Sequence, residues 1–550
     1  MRWFVCEVAR CEIVLLCLAT PLLLFPGIWS LAGLAILGLT WGCRRVARGS
    51  FSSHTAMDVP ILLLLVTSCI SLVPSVDLAL SLNRMCVLVL GVALFYGMVN
   101  GIDDRRSLQA VGTGLVLVGL AVSLISLLST DFRAGRFIEL PVVYDHLPPP
   151  LIRGLPGSGV LDQYDLVNPR LVAGTLAILL PIPLGYLALG HGWKLRLLSG
   201  LAACAMLGVL ALTQSPQGLL GLGAAVLLMA ILCSKWALLA LPLGAGAFLL
   251  TYRYIGFQQF LGRLLGPEGL DSLLFNLNSR IVNGARGVGL IRDMPFTGSG
   301  LNNFPVLDGL YSSGSSHAVH AHNVFIQTAT DFGVPGVVAV LALLAGFSYT
   351  AARVIRANPT VNDRALLIGI CGAVTAWLIY GLLDCITLGH KPAAALWVML
   401  GLCANMRLRV DPLASQVVPF PARFTRRWVL AVLLPMVLLG AIIGLTRRRL
   451  IGAFFLNLGV MESHRALAAA DAPDLVAQHL QLAEVHLLRS VEWDPGRQRT
   501  HRVLAWVLQG DISGKHWPRD TASLERWRTC LAPTPGIEYR LAEARPSPTD

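Results

Sequence analysis

The residues best suited to chemistry lie between 279 and 336, in "SRIVNGARGVGLIRDMPFTGSGLNNF", a Ser/Gly/His-rich stretch and "HAHNVFIQTATDFGVPG". His322 offers an imidazole, which can take up a proton near neutral pH because its ordinary pKa is about 6.5. Arg280, Arg286 and Arg292 offer planar, permanently charged forks that grip phosphate at two points. His317, His320 and His322 together raise the question of a metal. Their spacing is not the i, i+4 pair of helical zinc ligands, and no acid or Cys in the adjoining sequence completes a set, so no metal is expected. "GARGVG" lacks the preceding strand of a dinucleotide loop and is set aside. Asp384, at the end of an apolar run, is a further suspect, because acids beside a bilayer are functional candidates by default and this one could orient His322.

These residues need elements to hold them. Leu277, Ile281, Val288 and Ile291 recur at roughly helical spacing over 275–292, which predicts a helix at a membrane surface with the arginines beside its apolar face. "PFTGSG" reads as a Pro/Gly turn. His322 opens a short amphipathic segment that ends at Phe332. "GVPG" breaks it, and Pro335 suits the first turn of a following helix.

The chain as a whole has 550 residues, 55% hydrophobic and 13% charged, with mean hydropathy +0.67. Soluble domains carry about 25% charged residues, so membrane spans are the expected reading. Apolar runs place helices near 12–25, 28–42, 59–74, 80–98, 109–129, 169–189, 197–213, 217–233, 236–252, 334–352, 365–385, 392–407 and 428–446. The first has no small-residue cleavage site after it and is read as a span, not a signal peptide. Most cysteines, such as Cys17, Cys69, Cys204, Cys233, Cys371 and Cys403, fall inside these runs without CxxC partners and are expected to be small buried hydrophobes.

The net charge of +12 could point to nucleic acid, but its distribution argues otherwise. Arg44, Arg45 and Arg48, then Arg105 and Arg106, Lys194 and Arg196, Lys235, Arg353, Arg356 and Arg364, and Arg407 to Arg427 occupy alternate short loops. That pattern marks a cytoplasmic side. Pro74–Asp77 and Ser215–Gln217, on the other side, carry almost no positive charge. Arg447–Arg449 leaves the side of the tail open. The long segments 130–168 and 253–333 then fall outside, and any chemistry is expected on that face. Residues 1–450 form the membrane domain and 451–550 a soluble helical tail. In the tail, Ala483, Leu487, Ser490 and Pro495 fit the second half of a tetratricopeptide unit, with Leu504 and Ala505 as the next packing pair; a plain helical hairpin is the alternative. The end, from Pro533, is expected to fray.

Here a resemblance enters. His322, Asn323, nine residues, Gly333, two residues and Gly336 match the H-[NSQ]-x9-G-x-x-G pattern of O-antigen ligases. Arg280, Pro295, Gly298 and Gly300 resemble the "R…P-x-x-G-x-G" stretch of the wider ligase and polymerase superfamily, and Asp331 stands where that family often has an acid. The likeness covers roughly residues 10–450. It implies an all-α polytopic membrane helical bundle, about 12–13 transmembrane helices and GT-C-like, with the small helical tail appended. The tail and an extra span depart from the family's usual layout.

The resemblance also implies roles. The donor would be a polyprenyl-pyrophosphate-linked glycan, and cleavage of its sugar–phosphate bond develops negative charge that something cationic must meet. Arg280 takes that role, with Arg170 and Arg153 as further substrate contacts. His322 would take the acceptor's proton, Asn323 stands beside it, and Asp384 would orient His322 or touch acceptor sugar. Gly333, Gly336, Pro295, Gly298 and Gly300 are structural. No cofactor, metal or nucleic acid is implied. The acceptor is a glycan, a lipid A core or a protein, at the periplasmic face of a bacterial inner membrane. Three rivals stay open: a glycan polymerase, an oligosaccharyltransferase acting on protein, and a transporter or flippase.

Overall fold

The computed structural model describes residues 12–132, 141–147, 149–153, 167–254, 257–311, 318–411, 448–466, 469 and 472–509. Among these residues the chain is helical and has no strand. The order is α1 Glu12–Leu24, α2 Ser30–Arg48, α3 Asp58–Ser71, α4 Leu78–Gly101, α5 Arg105–Ser129, α6 Pro169–Leu179 and α7 Pro181–Leu189. It continues with α8 Trp193–Leu212, α9 Pro216–Cys233, α10 Ala240–Tyr254, α11 Phe257–Asp293, α12 Phe304–Tyr311, α13 Val324–Arg356, α14 Val361–Leu383 and α15 Ala393–Val410. Eight of the described helices are long and apolar enough to cross a membrane, and Glu12–Leu24, Asp58–Ser71 and Lys235–Gly244 are shorter apolar helices. The protein is an all-α, multi-pass membrane protein. The expected span 428–446 lies outside the described residues, as do His317 and the end from Pro533.

Helix starts follow their sequence signals. Asp77, Asp104, Asn168, Ser215 and Asn323 each accept hydrogen bonds from the first turn of the helix that follows, and Pro169 and Pro216 occupy first-turn positions where no N–H is needed. Large side chains fill the interior: Phe95, Tyr186, Trp377, Tyr380 and Trp397 are all buried. α14 packs along α7 and α9, α15 along α4, and α13 along α3. Gly221 lets α9 approach closely enough that a Cβ there would fall 2.9 Å from the Ala376 carbonyl.

Two expectations need correction. The region 253–333 is not mainly loop, because α11 is a continuous helix of 37 residues. Hydropathy locates apolar chain, and a helix of mixed composition escapes it. The expected break at GVPG is present: within α13 a short segment from Val324 meets the following helix end to end across a kink at Gly333. Finally, Cys371 and Cys403 are buried, but Cys17, Cys69, Cys204 and Cys233 lie on exposed helix surfaces. A bilayer-facing surface is as apolar as the core, so composition cannot separate the two.

The basic loops gather at one end of the bundle. There Arg44 pairs with Glu12, Arg409 donates to the carbonyls of Ile102 and Asp104, and Arg407 pairs with Asp411. The candidate site occupies the opposite end.

The chain divides into two compact units: residues 1–292 with 296–424, and Asp293–Pro295 with 425–550. In the second unit, α16, residues 448–466, is followed by α17 Pro473–Trp493 and α18 Gln498–Gln509. Leu456, Val460, Ala483, Leu487, Val491 and Leu504 form its core together with Met294. Ser490 donates to the Gly452 carbonyl at 2.7 Å, and Arg499 Nε reaches Asp293 at 2.6 Å. Ala483, Leu487, Ser490 and Leu504 are interior, as either a tetratricopeptide unit or a plain helical hairpin would have them.

Candidate active site

Three segments converge on Asp384. Asp384 ends α14, its backbone N–H donating to the Tyr380 carbonyl at 2.9 Å, on a loop held by two buried tryptophans. Trp377 Nε1 donates to the Ile386 carbonyl at 2.7 Å and Trp397 Nε1 to that of Leu388 at 3.1 Å. His322 Nδ1 lies 3.5 Å and His320 Nε2 3.6 Å from Asp384 Oδ1. The two imidazoles meet edge to face, 4.2 Å between centroids. His322 holds a left-handed φ of 51°, a conformation costly for a side-chain-bearing residue and common at functional sites.

The hydrogen bonds decide the tautomers. His320 Nδ1 accepts the His322 backbone N–H at 3.3 Å, so its proton sits on Nε2, toward Asp384. His322 turns Nδ1 toward the same carboxylate. Burial opposes ionisation of Asp384, yet His322, His320 and Arg280 outweigh it and hold the carboxyl well below its usual range. Burial pushes His320 down to about 4, against the pull of Asp384, so it is neutral at pH 7.

The arginines come from α11 and α6. Arg280 is half-buried, and Asp384 and Arg170 are among the charges acting on it. Gln217, with its amide oriented to satisfy both neighbours, accepts from Arg280 Nη1 at 3.0 Å. Arg170 donates to Asn276 on α11 at 2.5 Å, and its carbonyl accepts from Tyr380 Oη at 2.9 Å. Arg153 is exposed, and no contact among the described residues joins it to the cluster. Asn323 uses its oxygen to cap α13, accepting from Phe325 and Ile326, and its nitrogen to reach the Leu382 carbonyl at 3.1 Å. Those bonds fix the His322 turn against α14.

The glycine motifs pack on each other. Gly298 has φ +66°, and a Cβ there would fall 2.5 Å from the Asp331 carbonyl. Ser299 N donates to the Thr330 carbonyl at 2.7 Å and Asn302 N to Asp331 Oδ1 at 3.3 Å. Gly333 supplies the kink, with φ 74° and ψ −177°, and Gly336 admits the Phe332 side chain. Pro295 begins this turn.

Beside His320 is a cavity of about 30 Å³, lined in part by Arg84, Asn302, Gln327, Asp331 and His390. Sequence reasoning missed Arg84, His390 and Gln217. Arg84 had a signal, a lone ionisable residue within a span. The other two had none, because they depend on which loops meet.

His320, His322 and Asp384 offer ligand atoms within 4.8 Å of one another. No acid adjoins the histidines in sequence, but the fold brings Asp384 to them from 62 residues beyond His322. His320 Nε2 carries a proton while Nδ1 accepts a backbone N–H, and Arg280 already supplies positive charge to Asp384.

The described helices thus form a polytopic bundle with a histidine–carboxylate pair and arginines gathered at one end. Residues 201–341 match the family model described as O-antigen ligase, which supports placing the chain in the O-antigen ligase superfamily. The match supports an enzyme of the membrane glycosyltransferase or ligase type. The matched stretch contains Arg280, Gly298, Gly300, His322 and Gly333, and leaves Arg84, Arg170 and Asp384 outside. No curated protein matches the chain.

Proposed function

We propose that this protein transfers a glycan from a polyprenyl-pyrophosphate donor to an acceptor hydroxyl, at the periplasmic face of a bacterial inner membrane and without a metal. The carrying observation is the convergence of His322, Asp384 and Arg280 at the bundle end opposite the basic loops. His322 Nε2 takes the acceptor hydroxyl's proton as that oxygen bonds to the anomeric carbon. The bond from that carbon to the phosphate oxygen breaks, and pyrophosphate leaves with the electron pair. Asp384 stabilises the imidazolium, and Arg280 with Arg170 meets the leaving charge. Attack opposite the leaving group inverts the anomeric centre.

The test is transfer by purified protein in detergent, with and without chelator. His322→Ala is expected to lower kcat by roughly 10²–10⁴-fold with donor binding retained. Arg280→Ala is expected to weaken donor binding and turnover together, with partial rescue by Arg280→Lys, because a point charge lacks the fork. Full turnover by His322→Ala rules out the base assignment. Strict dependence on an added divalent ion rules out the metal-free scheme.

A further inference from the structure

We propose that the cavity between Arg84, Asn302, Asp331 and His390 is the acceptor-sugar subsite, seating hydroxyls of one ring so that the attacking hydroxyl lies at its His320 edge, next to the His322 ring that packs on His320. This rests on the reading above.

The chemistry of the lining carries the argument. A sugar hydroxyl donates and accepts at once, so it is recognised by donors and acceptors side by side. Four separate segments supply them. Arg84 comes from α4 and donates to Asn302 Oδ1 at 3.1 Å. Asn302 sits in the turn after Gly300 with φ 59°. Asp331 accepts from Gln327 at 2.9 Å on α13. His390 Nδ1 accepts the Thr387 N–H at 3.0 Å, so Nε2–H remains to donate.

Charge and size select the occupant. Asp331 lines the same cavity as Arg84, so an anion seated there would face a carboxyl as well as a guanidinium. Arg280 and Arg170 are not in its wall, whereas His320 is. At about 30 Å³ it holds only one or two hydroxyl-sized groups, so a ring would rest at the mouth with its edge inserted. Donor phosphate and acceptor sugar thus have separate seats, with His320 in the wall of the second.

The experiment uses the full chain in detergent. Methyl glycosides of glucose, galactose, N-acetylglucosamine and heptose are probed by saturation-transfer NMR. Undecaprenyl pyrophosphate is probed by the rise it causes in melting temperature. Asn302→Gly keeps a backbone that tolerates positive φ, and His390→Gln keeps a donor; Arg84→Gln removes the charge. Each is expected to weaken the best-bound glycoside by about tenfold or more, as loss of a satisfied buried polar contact does. The rise with undecaprenyl pyrophosphate should persist. If Asn302→Gly fails to fold, His390→Gln decides alone. The proposal is overturned if no glycoside binds the unaltered protein, if the variants bind glycoside unchanged, or if they lose the pyrophosphate effect instead, which would assign the cavity to the donor. Arg280→Ala separates the two readings: unchanged pyrophosphate stabilisation there sinks the catalytic scheme while leaving sugar binding in the cavity intact.

Discussion

At the scale of single residues, Asp384 carries the most weight. It lies 3.5 and 3.6 Å from two imidazoles and is held ionised by them and by Arg280. An ionised carboxylate behind a base stabilises the imidazolium that forms during proton transfer. Asp384→Asn keeps the shape and removes the charge. We expect kcat to fall by roughly 10²-fold with little change in the donor KM and a melting temperature near the unaltered value. A rise in donor KM at constant kcat would assign Asp384 to substrate contact instead.

At the scale of elements, the site depends on the 298–303 turn stacked on the α13 kink. Gly298→Ala adds a methyl against the Asp331 carbonyl at a left-handed φ, which alone costs about 1–2 kcal/mol. The expected outcome is a clear drop in melting temperature together with lost transfer. Gly289→Ala is the control: it lies within α11, with nothing within 4 Å of the added carbon, and should be neutral or slightly stabilising. Equal loss in both variants would show that the turn has no special role. The tail has its own internal logic, with Leu487 fully buried in its core. Leu487→Ala should cost about 2–5 kcal/mol and speed proteolysis of 448–509.

At the scale of the whole molecule, several buried histidines couple stability to pH. His320 and His464 are each pushed down to about 4 by burial, and His390 is driven well below its ordinary value. The unfolded chain binds protons on these groups near pH 6.5 while the native protein does not, so stability falls as pH drops from about 6.5 toward 4. Asp384, held ionised in the native state, adds to the loss at still lower pH. The melting temperature in detergent should therefore be lower at pH 4.5 than at pH 7.5, and His320→Asn should flatten the difference. A melting temperature that rises on acidification would contradict the burial of these groups in neutral form.

The sequence by itself determined the membrane class, the approximate spans, the alternation of basic loops and the two glycine-marked stretches that cradle His322. Each of these is periodic or local: a bilayer demands a minimum apolar length, and a left-handed turn demands glycine within a few residues. Tertiary structure alone decided which distant groups meet. Asp384 reaches His322 across 62 positions, Gln217 reaches Arg280, and Arg84 and His390 come together beside His320. It also showed Asn323 capping α13 beside His322. The physical reason is that a helical bundle brings its loop ends together through packing along whole helices, as where α14 lies against α7 and α9. No spacing along the chain records which ends that packing will join.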